Sequence, residues 1–180
     1  MKKLAQGLLC IILIATLIAG CASQGDKPGN GGAGEKGGPV DQITAEEIKR
    51  VDLYVTAMRS AFQEESGGND FIAVKLETLE GLSDRAKQEV LNGLKDLSAN
   101  VYPFEKVKED RSRFEVDEQG RLSRAVNGAL LSVRLQEFSG NHAIIEATSW
   151  FGNLGAVFPE YKATYKNGEW HLELTRIAVS

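Results

Sequence analysis

Beyond residue 21 this 180-residue chain has no cysteine; its two cysteines are Cys10 and Cys21. A folded part built from the rest has no disulfide, no thiol nucleophile and no cysteine-held metal, so its stability must come from packing. Histidine is scarce as well, with only His142 and His171. The patterns HExxH and GxSxG and any zinc-ligand spacing are missing, and nothing in the sequence points to a metal or a cofactor. There is no basic excess, since 25 acidic residues face 21 basic ones. Nucleic-acid binding needs a basic footprint, so it is disfavoured. No internal repeat is present. No apolar run reaches the ~20 residues that a membrane-spanning helix requires.

What is present begins with a short apolar run, LLCIILIATLIA at residues 8–19, behind the positive start Met1-Lys2-Lys3. That length and charge fit a secretory signal peptide. The run closes on Leu17-Ile18-Ala19-Gly20-Cys21: an aliphatic residue, two small residues, then cysteine. This ending resembles the lipobox of bacterial lipoproteins. The resemblance implies cleavage between Gly20 and Cys21 and a diacylglycerol on the Cys21 sulfur. Two acyl chains make a stable anchor, whereas one chain binds only marginally. The expected address is the extracytoplasmic face of the cell membrane, with the membrane as partner through the lipid. Loss of residues 1–20 removes Lys2 and Lys3, leaving 25 acids against 19 bases, a net charge of −6.

Residues 21–40 then form the lipidated cysteine and a Gly-rich linker. The stretch ASQGDKPGNGGAGEKGGP has no apolar periodicity and cannot bury enough surface to offset its ordering entropy. As a flexible coil it has a root-mean-square length of roughly 20–25 Å. Gly29 and Gly34 have the spacing of a phosphate loop, but Glu35 stands where that loop needs lysine, and no strand precedes. The segment reads as a spacer.

Residues 41–180 have the size of one domain. Thr44-Ala45-Glu46-Glu47 is a capping box, with Ile43 and Ile48 placed as a hydrophobic staple. Ile48, Val51, Val55, Met58 and Phe62 predict one apolar helical face. FIAVKLETL alternates like a strand, although periodicity alone also allows a short helix. Ser83 opens a second helix whose buried face is Ala86, Val90, Leu91, Leu94 and Leu97. KVKEDRSR, at residues 106–113, reads as an exposed loop or edge strand. The remainder predicts antiparallel sheet. Turns are expected at residues 117–120 and 139–141, and Asn127-Gly128 and Asn167-Gly168 are type I′ hairpin signals. In the last strand Trp170, Leu172 and Leu174 are out of phase with Ile177 and Val179, and a β-bulge near Thr175 or Arg176 would restore one face.

Helices before strands predict an α+β fold, with the N-terminal helices packed on one face of a curved antiparallel sheet. The long capped helix, the second helix and the hairpins ending in YKNGEWHLELTRI resemble the nuclear transport factor two-like or cystatin-like cone fold. That resemblance is topological and transfers no activity. The whole chain also resembles a lipoprotein type of Gram-positive bacteria, which bears on its address alone.

The most unusual stretch is SWFGNLGAVFPEY. Trp150, Phe151, Asn153, Phe158 and Tyr161 are the candidate binding residues, with the glycines between them opening a pocket mouth. The competing reading makes the same aromatics ordinary core. His171 among Glu169, Glu173 and Thr175 offers a histidine–carboxylate pair, but a solvated strand face explains it equally well. The expected function is a non-catalytic binding or protein-interaction module. Its partner is an envelope protein, a wall component or a small ligand, and a homodimer through the sheets fits cone folds. The alternative is a small cone-fold enzyme or ligand binder that uses the sheet interior. A solute-binding component of a transporter is a third reading, and size argues against it, because two-lobed binding proteins need two α/β domains. If Cys21 carries the anchor, Cys21→Ser moves the protein from the membrane fraction to the soluble fraction; membrane retention of that variant on fractionation would refute the anchor.

Overall fold

The computed structural model describes residues 42–180. The expected signal, the cleavage site at Gly20 and Cys21, and the linker lie outside the described residues. Thr44 caps helix α1, Ala45–Glu64. Its hydroxyl accepts from the Glu47 amide at 3.1 Å, and Glu47 Oε2 accepts from the Thr44 amide at 2.9 Å. The other Glu47 oxygen accepts from the Ser83 amide at 2.8 Å. Ser83 is the N-cap of α2, Asp84–Gly93. One carboxylate therefore joins two helix N-termini, where the helix dipoles favour negative charge. A hydrogen bond from the Ser83 side chain, followed by those from the Thr44 and Ser83 amides, holds the Glu47 carboxyl at about 2, below its ordinary 4.5.

The buried face of α1 is wider than one stripe. Leu53, Tyr54, Ala57 and Ala61 join Val51, Val55 and Met58 in the core, because the helix packs on α2 along one side and on the sheet along another. Ile48 departs from the sequence expectation and is 50 % exposed. It sits on the first turn and faces a groove between the helices instead of the core.

Four long strands form an antiparallel meander: β5 Gly128–Phe138, β6 His142–Gly152, β7 Gly155–Lys166 and β8 Glu169–Val179. One face carries Ala129, Leu131, Val133, Ala143, Ile145, Ala147, Tyr161 and Ala163 against α1 and α2. Asn167 and Gly168 have φ of 56° and 88°, the two positive values that a type I′ turn needs. The turn delivers Trp170, whose indole N–H donates to the Lys49 carbonyl at 2.8 Å and ties β8 to α1. The predicted bulge is present. Tyr161 pairs with Leu174 and Glu160 with Arg176, so Thr175 is the extra residue. Leu174, Ile177 and Val179 thereby share a face, yet they are 47, 43 and 70 % exposed.

The other four strands correct the expectation of a purely antiparallel sheet. FIAVKLETL gives strand β1, Phe71–Val74, followed by a 3₁₀ turn at Leu76–Thr78. β1 lies parallel to β5 on one side and to β2, Val101–Pro103, on the other. Asn127-Gly128 makes no hairpin. The strand before it, β4 (Leu122–Ala125), pairs with β6 at Gly152, while Leu130 of β5 pairs with Trp150. β4 and β5 thus follow one another along a single edge of β6. Of this pair Asn127 has positive φ and Gly128 does not, and the Asn127 carbonyl accepts from the Asp70 amide at 2.9 Å, which starts the β1 ladder. Gly128 is required by this approach, because a Cβ there would lie 2.3 Å from the Phe71 ring.

KVKEDRSR is in part helical. Its start completes the short helix α3, Phe104–Val107, and Val107 is buried. α3 and the hairpin of β3 (Phe114–Val116) with β4 close a second core on the opposite face of the sheet. There Phe71, Ala73, Phe114, Ala125 and Leu130 are buried, and Phe114 meets Phe71 and Phe104 edge to face at 5.3 and 5.7 Å. The architecture is α+β, but its helices occupy both faces, not one.

Glu47 sets an acid-side prediction. Its folded value lies below the unfolded one, so its contribution to stability is complete above pH 4.5 and is lost as pH falls toward 2. In Glu47→Gln, stability should fall less steeply across that window than in the wild type, as followed by thermal melts at stepped pH. Equal slopes would remove Glu47 as the clamp.

Candidate functional site

The chain alternation of β5 to β7 leaves a second set of side chains pointing away from α1. This open face is graded along its length. At one end Leu130 stands opposite Trp150, and Ser132 opposite Thr148. A row of charges follows. Arg134 donates to Glu146 at 2.9 Å, Arg176 lies 3.6 Å from Glu146 and 3.2 Å from Glu160, and Gln136 donates to Glu160 at 2.8 Å. The Glu160 carboxyl is held below its ordinary value, first by Gln136 and next by Thr175. Every acid in this row is therefore matched. At the far end His142, Thr164 and His171 form one cross-strand row, beside a recess of about 560 Å³ that Glu137, Lys162 and Glu173 help to line.

Against the second core lies a recess of about 380 Å³. Trp150, Phe158, Leu122 and Leu130 supply its apolar walls, and Ser132 and Thr148 its hydroxyls. Asn153 stands at the mouth, and Lys75 is the charged group in the lining. Among the described residues that lining holds no carboxylate and no histidine. Lys75 makes no ion pair among them either; its ammonium lies 5.8 Å from the centre of the Phe104 ring. The arrangement can hold a ligand by stacking, hydrogen bonds and one positive charge. It offers no general base beside a nucleophile.

Three of the five candidate binding residues, Trp150, Asn153 and Phe158, meet in this recess. The other two do not. Phe151 is the extra residue of a bulge between Trp150 and Gly152, and its ring packs on Gly155 and Gly67. Tyr161 faces the main core at 4 % exposure. Burial pushes its hydroxyl up to about 12, with Glu64 adding to the shift. Strand alternation separates Tyr161 from Phe158, three residues earlier. Sequence reasoning missed Ser132 and Thr148, although both occupy the non-core parity of their strands. It also missed Lys75, which reaches the site through the parallel placement of β1.

A larger groove of about 740 Å³ runs between α1, α2 and the β7–β8 turn, floored by Val51, Val55 and Trp170. Its rim is mainly acidic, with Asp52, Glu89 and Glu169, and burial pushes the Asp52 carboxyl up. Arg59, also on that rim, is engaged by the Gly93 carbonyl and Asp96 at 2.9 and 3.0 Å. Among the described residues no set of three His, Cys, Asp or Glu side chains is placed to hold a metal ion, and no helix is long and apolar enough to cross a membrane. No protein-family model matches the sequence, and neither a curated protein nor a solved structure shows significant similarity to it.

Asn153 touches the fold through its backbone, whose amide donates to the Ser123 carbonyl at 3.0 Å. Its side chain is exposed at the turn. Asn153→Ala should therefore change stability by no more than about 0.5 kcal/mol in denaturant titration. A larger loss would give the side chain a structural role.

Proposed function

We propose that this protein is a lipid-anchored, extracytoplasmic and non-catalytic binding module. The lipobox-like ending Leu17-Ile18-Ala19-Gly20-Cys21 supports the anchor and the address at the cell membrane. The capped first helix over a meander ending in Asn167-Gly168-Glu169-Trp170 supports a cone-type arrangement. The observation that carries the binding reading is the Trp150 recess. Aromatic, hydroxyl, amide and ammonium groups converge on one concave spot, on the sheet face opposite α1. At about 380 Å³ it falls at the lower end of ligand cavities, which favours a small ligand or part of a wall component.

A second reading, docking of an envelope protein, is favoured by the apolar strip Leu174, Ile177 and Val179 on the edge strand β8. Native mass spectrometry of the full chain, gently extracted from its own membrane, separates the two. The expected result is a lipidated chain with a small added mass that disappears in Phe158→Ala, with the melting temperature checked alongside. A protein-sized addition that survives Phe158→Ala would favour the strip, and a doubled mass would mean a homodimer.

A further inference from the structure

We propose that the Trp150 recess selects a carboxylate-bearing sugar, with Lys75 as the residue that selects the charge. This deepens the binding reading above and rests on it. The aromatic sides of Trp150 and Phe158 present flat apolar surface, which suits the C–H face of a pyranose ring. Ser132, Thr148 and Asn153 offer short polar groups that both donate and accept, as ring hydroxyls require. An apolar ligand would leave these groups unmatched, and unmatched polar groups cost affinity. The volume of about 380 Å³ suits a mono- or disaccharide.

The chain is acidic overall, and the neighbouring row on the same face has its acids matched by Arg134 and Arg176. Lys75 alone brings charge to the recess lining, and its neighbour Phe104, with a ring centre 5.8 Å from the ammonium, leaves that charge uncancelled. A single compact ammonium suits one carboxylate. It lacks the planar fork that gives bidentate recognition of phosphate. A carboxylate placed against Lys75 gains a charge-assisted hydrogen bond, stronger than a neutral one.

The test uses the full lipidated chain in detergent micelles and two probes that share a ring, N-acetylmuramic acid and N-acetylglucosamine. They differ by the carboxylate-bearing ether of the first. Binding is read by ligand-observed nuclear magnetic resonance. The wild type should bind the acid at least about tenfold more tightly than the neutral sugar. Lys75→Met should bring the acid down to the level of the neutral sugar, while Lys75→Arg keeps most of the preference. Phe158→Ala should weaken both probes together. Equal binding of the two probes by the wild type, or an unchanged preference in Lys75→Met, overturns the charge selection and leaves the recess as a binding site. If Phe158→Ala, folded by its melting temperature, leaves both probes bound as before, the recess itself is the wrong site. Failure of both probes to bind the wild type overturns the sugar class, while the native-mass experiment still judges the recess.

Discussion

The structure depends on a close contact between two backbones, where β1 lies parallel beside β5 at Gly128. A side chain at that position would collide with Phe71. Because the contact is allowed, β1 becomes an interior strand between β2 and β5, and all four of its residues are buried. Ile72 and Val74 enter the core under α1 and α2, whereas Phe71 and Ala73 enter the second core with Phe114. The sheet is thus covered on both faces at this end and on one face elsewhere. The Trp150 recess lies at that boundary, with Leu122, Leu130 and Trp150 belonging to the second core's surroundings as well as to the recess wall.

Local chemistry was legible in the sequence, and long-range pairing was not. The capping box at Thr44 and Glu47, the Ser83 cap, the Asn167-Gly168 turn and the Thr175 bulge all follow from short-range rules about orphan amides, positive φ and strand parity. Asn127-Gly128 carries the same letters as the terminal turn but a different outcome. There the tertiary partner, the Asp70 amide, claims the Asn127 carbonyl and the chain continues along β6. Nothing within a few residues of Asn127 encodes that partner. The parallel order of β2, β1 and β5 has the same origin, since it joins segments far apart in the chain through connections that carry α2, α3 and the β3–β4 hairpin.

The same limit applies to the site. Trp150, Asn153 and Phe158 could be picked out because aromatic residues crowd around glycines in one stretch. Phe151 and Tyr161 belong to that stretch and turn away from the recess, one through a bulge and one through parity. Lys75 is brought in by β1, so its place could be known only once the parallel pairing was known. The electrostatic contrast across the open face is likewise a tertiary property. Arg134, Glu146, Glu160 and Arg176 come from four strands and neutralise one another only in this register.

The bulge at Thr175 bears on how this protein meets copies of itself. β8 is an eleven-residue edge strand with apolar side chains near its end, the kind of edge that recruits a second chain. When a strand pairs antiparallel with its own copy about a two-fold axis, facing residues have numbers that add to an even total and lie on the same side of the joint sheet. Before Thr175 the even-numbered residues face the helices; after it the odd-numbered ones do. A copy matched to one half of β8 is therefore mismatched to the other half. The extra residue acts as a stop to templated growth, limiting self-recruitment to a short, weak segment while leaving the edge open to a strand of different phase.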